Sequence, residues 1–294
     1  MSNTIVLNST NVVSGSNNSA LRYNFPNSVV FDDHQIAVQS VSMYYSWQNI
    51  NNTTLKNNTF SYTWTIAGTT TTYNVTIPSG LYEITDINNF LQYTFIMNGH
   101  YLINSTSQNV YYAEFLVNPN TYSINIITYP VPTSLPSGWS IPVANVQTGA
   151  LAWGGFPTTF FNPLITIPSN LNLILGYVAG FTTSQNTGIN TILTYTSSVA
   201  PQVAPNPNAL ITISNISNIY SSPSSVIYNV YANVGFGALI TQEPSEYAWV
   251  DLLKGATSNL TLRFVGNDGS ALSILDPNIT ILLLIRKKPI SERG

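Results

Sequence analysis

Apolar and polar residues alternate with a period of two along most of this chain, the pattern of half-buried β-strands. The clearest run covers 35–47, with Ile36 and Val38 in one phase and Val41, Met43, Tyr45 and Trp47 in the next. The slip between Val38 and Val41 predicts a β-bulge or a bend. Phe60, Tyr62, Trp64 and Ile66 alternate over 59–66, and Ala67-Gly68 then turns the chain into 71–77. Further strands are predicted over 110–117, 121–128, 226–236, 258–265 and 279–286, with Asn118-Pro119-Asn120 as a hairpin turn. Those are eight principal strands. The segments 5–13 and 21–31 add N-terminal strands or an arm.

One stretch changes period. Ile84, Ile87, Phe90, Leu91 and Phe95 share a helical stripe, with Thr85 as the expected cap for the Asn88 amide. A single short helix is therefore expected to close one end of a sandwich. Residues 130–168 are rich in Pro, Gly and aromatics, including Trp139 and Trp153, and 170–177 reads as buried structure. The polar stretch 180–207 reads as surface. The expected organisation is a single domain over 1–294, an all-β eight-stranded single jelly-roll sandwich. It would carry a long loop excursion or small inserted lobe at 130–207 and a basic tail at 286–294.

Composition narrows the function. Eight Lys or Arg and eleven Asp or Glu make the chain 6% charged, against about 25% in an ordinary domain. Its polarity comes from Ser, Thr and 36 Asn. Such a chain has little charge to keep it apart from its neighbours. Uncharged flanks suit permanent packing in an assembly, where an unpaired buried charge would cost several kcal/mol. There is no cysteine, which removes disulfides and thiolate chemistry. Neither a signal peptide nor a membrane-spanning run is legible, so a soluble product made in the cytoplasm is expected.

Catalytic patterns are missing. His34 and His100 are the two histidines, and no Gly-x-Ser-x-Gly elbow accompanies them. Asp32-Asp33-His34 reads as a polar turn into the strand at 35 more readily than as a metal site. Glu243 and Glu246 have the sequence proximity of a glycosidase pair, but an exposed loop explains them better. No phosphate loop or dinucleotide fingerprint is present. The expectation is a protein that is not an enzyme and takes no cofactor or metal. Half of the positive charge, Arg286, Lys287, Lys288 and Arg293, falls in the last nine residues. These four are candidates for contact with nucleic acid phosphates or an acidic neighbour.

Three stretches in order carry a resemblance: 36–50, the Pro78-Ser79-Gly80-Leu81-Tyr82 lead into the helical stripe, and 259–269 followed by the strand 279–286 and its basic end. Together they resemble the single jelly-roll penton (vertex) proteins of eukaryotic double-stranded DNA viruses, as in virophages, Polinton-like viruses and giant viruses. That resemblance implies a structural capsid protein of the virion, a homopentamer at the icosahedral fivefold vertices. Its implied partners are itself, the surrounding major capsid protein and other minor capsid proteins; the basic tail, by its charge, adds an expectation of weak genome contact. Two other readings stay open at this stage. One is a carbohydrate- or receptor-binding β-sandwich, with exposed Trp139 and Trp153 stacking on sugars. The other is a minor capsid cement protein.

Overall fold

The structure, a computed structural model, describes residues 2–203 and 206–289. The chain opens with β1 (Ser2–Leu7), β2 (Ala20–Val30) and β3 (His34–Tyr44). It continues through β4 (Thr59–Ile66), β5 (Thr69–Thr76), α1 (Ile84–Asn98), β6 (Leu102–Ile103), β7 (Asn109–Val110), β8 (Ala113–Asn118) and β9 (Ser123–Thr128). Then come β10 (Ile165–Thr166), α2 (Asn172–Leu175) and β11 (Leu193–Thr196). The last group is β12 (Asn208–Ile213), β13 (Val226–Tyr231), β14 (Leu239–Gln242), β15 (Val250–Asp251), β16 (Ala256–Val265) and β17 (Thr280–Lys287). Two compact units result, one of Met1–Gln48 with Pro205–Gly294 and one of Asn49–Ala204.

The first unit is the jelly roll. Its sheets have the orders β1-β17-β3-β14 and β13-β12-β16-β2. Counted along the unit, with the short β15 continuing the line of β14 beside β3, these are strands one, eight, three and six, and strands five, four, seven and two. This interleaving is what two nested Greek keys produce. The all-β jelly-roll expectation holds, but its eight strands are not the eight that the alternation selected. The segments 5–13 and 21–31 are no arm: β1 and β2 are the roll's first two strands. Strands β12 and β14 were not foreseen. Four of the predicted eight, over 59–66, 71–77, 110–117 and 121–128, belong to the other unit.

Local sequence explains the roll's irregularities. Pairing of β17 with β3 passes from Leu282↔Ser40 to Leu283↔Val38 and skips Gln39. This is the bulge expected from the phase slip, and it lets both Val38 and Val41 be buried. Pro26 has no N–H to give a ladder, and it sits in edge strand β2 where pairing with β16 lapses between Asn24 and Val29. The core draws Leu21, Ile36, Met43, Ile211, Leu262, Phe264, Ile281 and Leu283 inward, all essentially inaccessible. Each is worth about 1.5–3 kcal/mol of burial. Chain exit and re-entry are tied together, since Trp47 Nε1 donates to the Asn206 carbonyl at 2.8 Å.

The second unit has its own core. The hairpin β4–β5, turned at Ala67 (φ 47°) and Gly68 (φ 83°), buries Phe60, Tyr62 and Trp64. Helix α1 buries Ile84, Ile87, Leu91 and Phe95 as the stripe requires. It is pinned to β8 by the Asn88 Oδ1, which accepts the Phe115 N–H at 2.9 Å. Thr85 is not its cap. Glu83 precedes the first turn, and Asp86 accepts the Glu83 N–H at 2.9 Å. The helix stops at Gly99, where φ is 66° and a Cβ would meet the Ala152 carbonyl oxygen at 2.3 Å, so glycine is required there.

Many asparagines are spent on the chain itself rather than on flanks. Asn49 donates to the Tyr82 and Val203 carbonyls and accepts the Tyr82 N–H. Asn51 Oδ1 accepts from Thr53 and Thr54, and Asn104 Oδ1 from Thr106 and Gln108. Asn49, Asn51, Asn57, Asn88, Asn162 and Asn172 are buried. In turns, as at Asn51 and Asn104, their short amides replace backbone partners.

Candidate functional site

The basic end is built on the last turn of pairing between β17 and β3. Arg286 lies opposite Gln35 and Lys287 opposite His34. The Arg286 guanidinium donates through Nε and Nη2 to Gln35 Oε1 at 3.0 and 2.9 Å. Its carbon also lies 4.1 Å from the centre of the Trp249 ring. Gln35 in turn donates to Asp251 Oδ1 at 3.2 Å, and Lys288 Nζ reaches Asp251 Oδ2 at 2.5 Å. Partial burial would raise the Asp251 carboxyl. The bonds from Lys288 and Gln35, with the Lys288 charge, outweigh it and hold the group below the usual range.

Two of the four candidate cations are thus engaged by the chain itself. A guanidinium over an indole contributes roughly 0.5–2 kcal/mol, and a half-exposed ion pair about 0.2–1 kcal/mol. Lys287 follows the strand alternation to the other face and is exposed. Arg293 lies outside the described residues. Gln35, Trp249 and Asp251, which organise this end, were missed by sequence reasoning. Only the register of β3 against β15 and β17 brings them together, and no local motif encodes that register.

The other singled-out residues resolve individually. Asp32-Asp33-His34 forms the turn from β2 to β3, with Asp33 at φ 55° and His34 Nδ1 2.7 Å from the Asp32 carbonyl. Glu243 and Glu246 are exposed on a loop that swings out between β14 and β15. Tyr231 at the end of β13 has both backbone groups taken by the Gln242 amide, at 3.2 and 2.7 Å.

His100 is enclosed, 2% exposed. It stacks on Trp64 at 4.4 Å with 12° between the rings. Asn98 donates to Tyr62 Oη at 3.0 Å, and the same oxygen lies 2.8 Å from His100 Nδ1. This hydrogen bond ties the phenol to the imidazole in either neutral tautomer of the ring. Burial lowers its pKa from 6.5 to about 3, so the ring is a neutral packing element at ordinary pH. Trp153 is not an exposed sugar platform. It is half-buried, perpendicular to Trp64 at 5.7 Å and tilted against Phe156 at 5.1 Å. Trp139 is half-buried and lines an open cleft.

Among the described residues, no group of three or more His, Asp or Glu could hold a metal, and no helix is long and apolar enough to cross a membrane. No family model matches the sequence, and no curated protein matches it. The solved structures that it matches include the selenomethionine-labelled mavirus penton protein. That match covers 97% of this chain and 98% of the other at 12% identity and a TM-score of 0.40. A likeness this loose leaves function to be argued from strand order and side chains.

Proposed function

We propose that this chain is a structural protein of a viral capsid. It assembles as a homopentamer, occupies the fivefold vertices of an icosahedral virion as a penton, and is surrounded by the major capsid protein. The observation that carries this reading is the chemistry of the roll's open edges. Four strands end a sheet, β1, β14, β13 and β2. The sequences of the first three, SNTIVL, LITQ and VIYNVY, contain no charged residue, whereas β2 carries Arg22 and Pro26, and β15, in line with β14, carries Asp251. A protein that lives alone blunts such edges with Lys, Pro or a covering loop. Only β2 is blunted in this way, by Pro26; Val6, Leu239 and Tyr231 stand exposed on the other three.

The jelly roll serves lectins and cupins as well as capsids, so fold alone does not decide. The weight falls on three uncharged edge strands in a chain that is 6% charged. A ring that closes about a rotation axis uses two different patches of each subunit, and a roll with unlike flanks supplies them. In this reading Lys287 and Arg293 are offered to neighbouring capsid proteins or to the genome, while Arg286 and Lys288 brace the end of the roll.

Sedimentation and native mass spectrometry of the purified chain test the proposal. A pentamer is expected that survives 1 M NaCl to within about twofold in dissociation constant, because its contacts present little charge to screen. A monomer at every concentration, together with absence from purified particles, would overturn the reading. An oligomer of another symmetry would overturn its vertex assignment.

A further inference from the structure

The second unit holds an open cleft of about 560 Å³, within the range of small-molecule sites. The capsid reading does not use it. Tyr111, Glu114, Tyr129 and Trp139 line it, with the amide side chains of Gln92 and Asn190 around them. We propose that this cleft is a glycan-binding site, taking a neutral saccharide with the Trp139 ring under one sugar face and the Glu114–Tyr129 pair on neighbouring ring hydroxyls.

The polar groups are arranged to accept and to donate at once. Tyr129 gives its hydrogen to Glu114 Oε1. That leaves the second carboxylate oxygen and the lone pairs of Tyr129 Oη facing hydroxyl donors, and hydrogen bonds to a carboxylate are the strong kind. Burial, then the bond to Glu114 and its charge, raise the Tyr129 hydroxyl to about 12, so it keeps its hydrogen at any physiological pH. Gln92 and Asn190 make no side-chain hydrogen bond among the described residues, which leaves amides that both donate and accept. Tyr111 is braced from behind by Phe95, the rings 6.4 Å apart and 17° from parallel. Asn109 donates to its hydroxyl at 3.2 Å.

Charge selects the ligand class. No Lys or Arg lines the cleft, and Glu114 is its one acidic residue. Sialic acid, sulfate and phosphate would meet a carboxylate with no cation to offset it. A flat apolar ligand would fill the aromatic wall and strand the amides and the carboxylate, at a cost for each unpaired group. A neutral pyranose satisfies both walls, because one face presents C–H groups to an electron-rich ring and its rim presents hydroxyls.

The test is a screen of the purified full-length chain on immobilised neutral and sialylated or sulfated oligosaccharides, followed by titration calorimetry with the best neutral ligand. Binding confined to neutral glycans is expected. Trp139→Ala should weaken it more than tenfold, and Glu114→Gln about five- to tenfold. Asn190→Ala, on an exposed position that folding does not need, should weaken it two- to fivefold and guards against misfolding of the tryptophan variant. No neutral glycan bound at millimolar concentration by the folded chain would overturn the proposal. So would binding only to anionic glycans, or unchanged affinity in all three variants. The pentamer does not depend on the cleft, so either result leaves the oligomer measurement intact.

Discussion

The roll and the unit inserted between its third and fourth strands are both β-rich, but they are held together in different ways. In the roll, long strands pair over six to eight registered positions, as β17 does with β1 and β3. Aliphatic side chains make up most of its interior, with Phe264 and Trp47 among the buried rings. In the inserted unit the sheets are two or three strands wide, and the centre is an aromatic cluster around Trp64 with a neutral histidine stacked on it. Long regular pairing makes a scaffold whose edges are available to other chains. Short sheets joined by asparagine-braced loops make a surface that can carry a cleft. The first architecture suits assembly and the second suits recognition.

The sharpest way to break that comparison is to remove one side of it. Replacing 49–205 by a short Gly/Ser linker should leave a folded eight-stranded roll. Trp47 and Asn206 are already bonded at 2.8 Å, so a few residues span the gap and loop-closure entropy falls. Circular dichroism of β type and a cooperative urea transition are expected. A molten chain without cooperativity would mean that the roll does not carry its own stability. If the shortened chain still forms pentamers, the assembly contacts lie on the roll.

A smaller effect separates the units by pH. His100 has its pKa lowered from 6.5 to about 3, so the folded form binds fewer protons than the unfolded form between those values. Its contribution is complete above about 6.5 and is lost as pH falls toward 3, at up to about 1.4 kcal/mol per pH unit. Protection factors in β4, which correct the exchange rate for its intrinsic value at each pH, should fall steeply from pH 6.5 to pH 4, more than in β17. His100→Gln, which keeps an acceptor for Tyr62 and does not titrate, should flatten that difference. Equal acid sensitivity in wild type and variant would contradict the assignment.

Legibility in the sequence followed the same divide. Where a strand is long, as at 35–47 and 258–265, alternation located it, and the bulge at Gln39 was readable from the phase slip. Strand β12 escaped because Asn208 to Ile213 is short and follows a Pro- and Asn-rich stretch, although Ala209, Ile211 and Ile213 alternate and are buried. Strand β14 is four residues long, too few to show a period. Which strands belong together was not legible at all. Membership in the roll depends on pairings such as Ile36 with Ile285, far apart in sequence. The cleft had one visible sign, Trp139; Glu114 looked like an ordinary strand residue and Tyr129 fell just past the end of a strand, until the pairing of β8 with β9 brought them together. Trp153 misled because an indole in a Gly-rich loop reads as exposed, whereas Trp64 supplies a partner that local sequence does not reveal.

The smallest expected effect concerns the end of the roll. Lys288 and Asp251 are bonded at 2.5 Å, but their side chains are 21% and 49% exposed, and solvent screening leaves such a pair with at most about 1 kcal/mol. Lys288→Met should therefore shift the urea midpoint only slightly and, by removing the main bond that lowers it, raise the Asp251 carboxyl, which titration by NMR would register. The aliphatic stem packs much as before. Folding of the strand rests on Ile281, Leu283 and Ile285, each buried and each worth more than the ion pair. A loss above about 2 kcal/mol would mean that this corner holds β17 in place. It would then tie the roll's closure to its few charges rather than to its apolar interior.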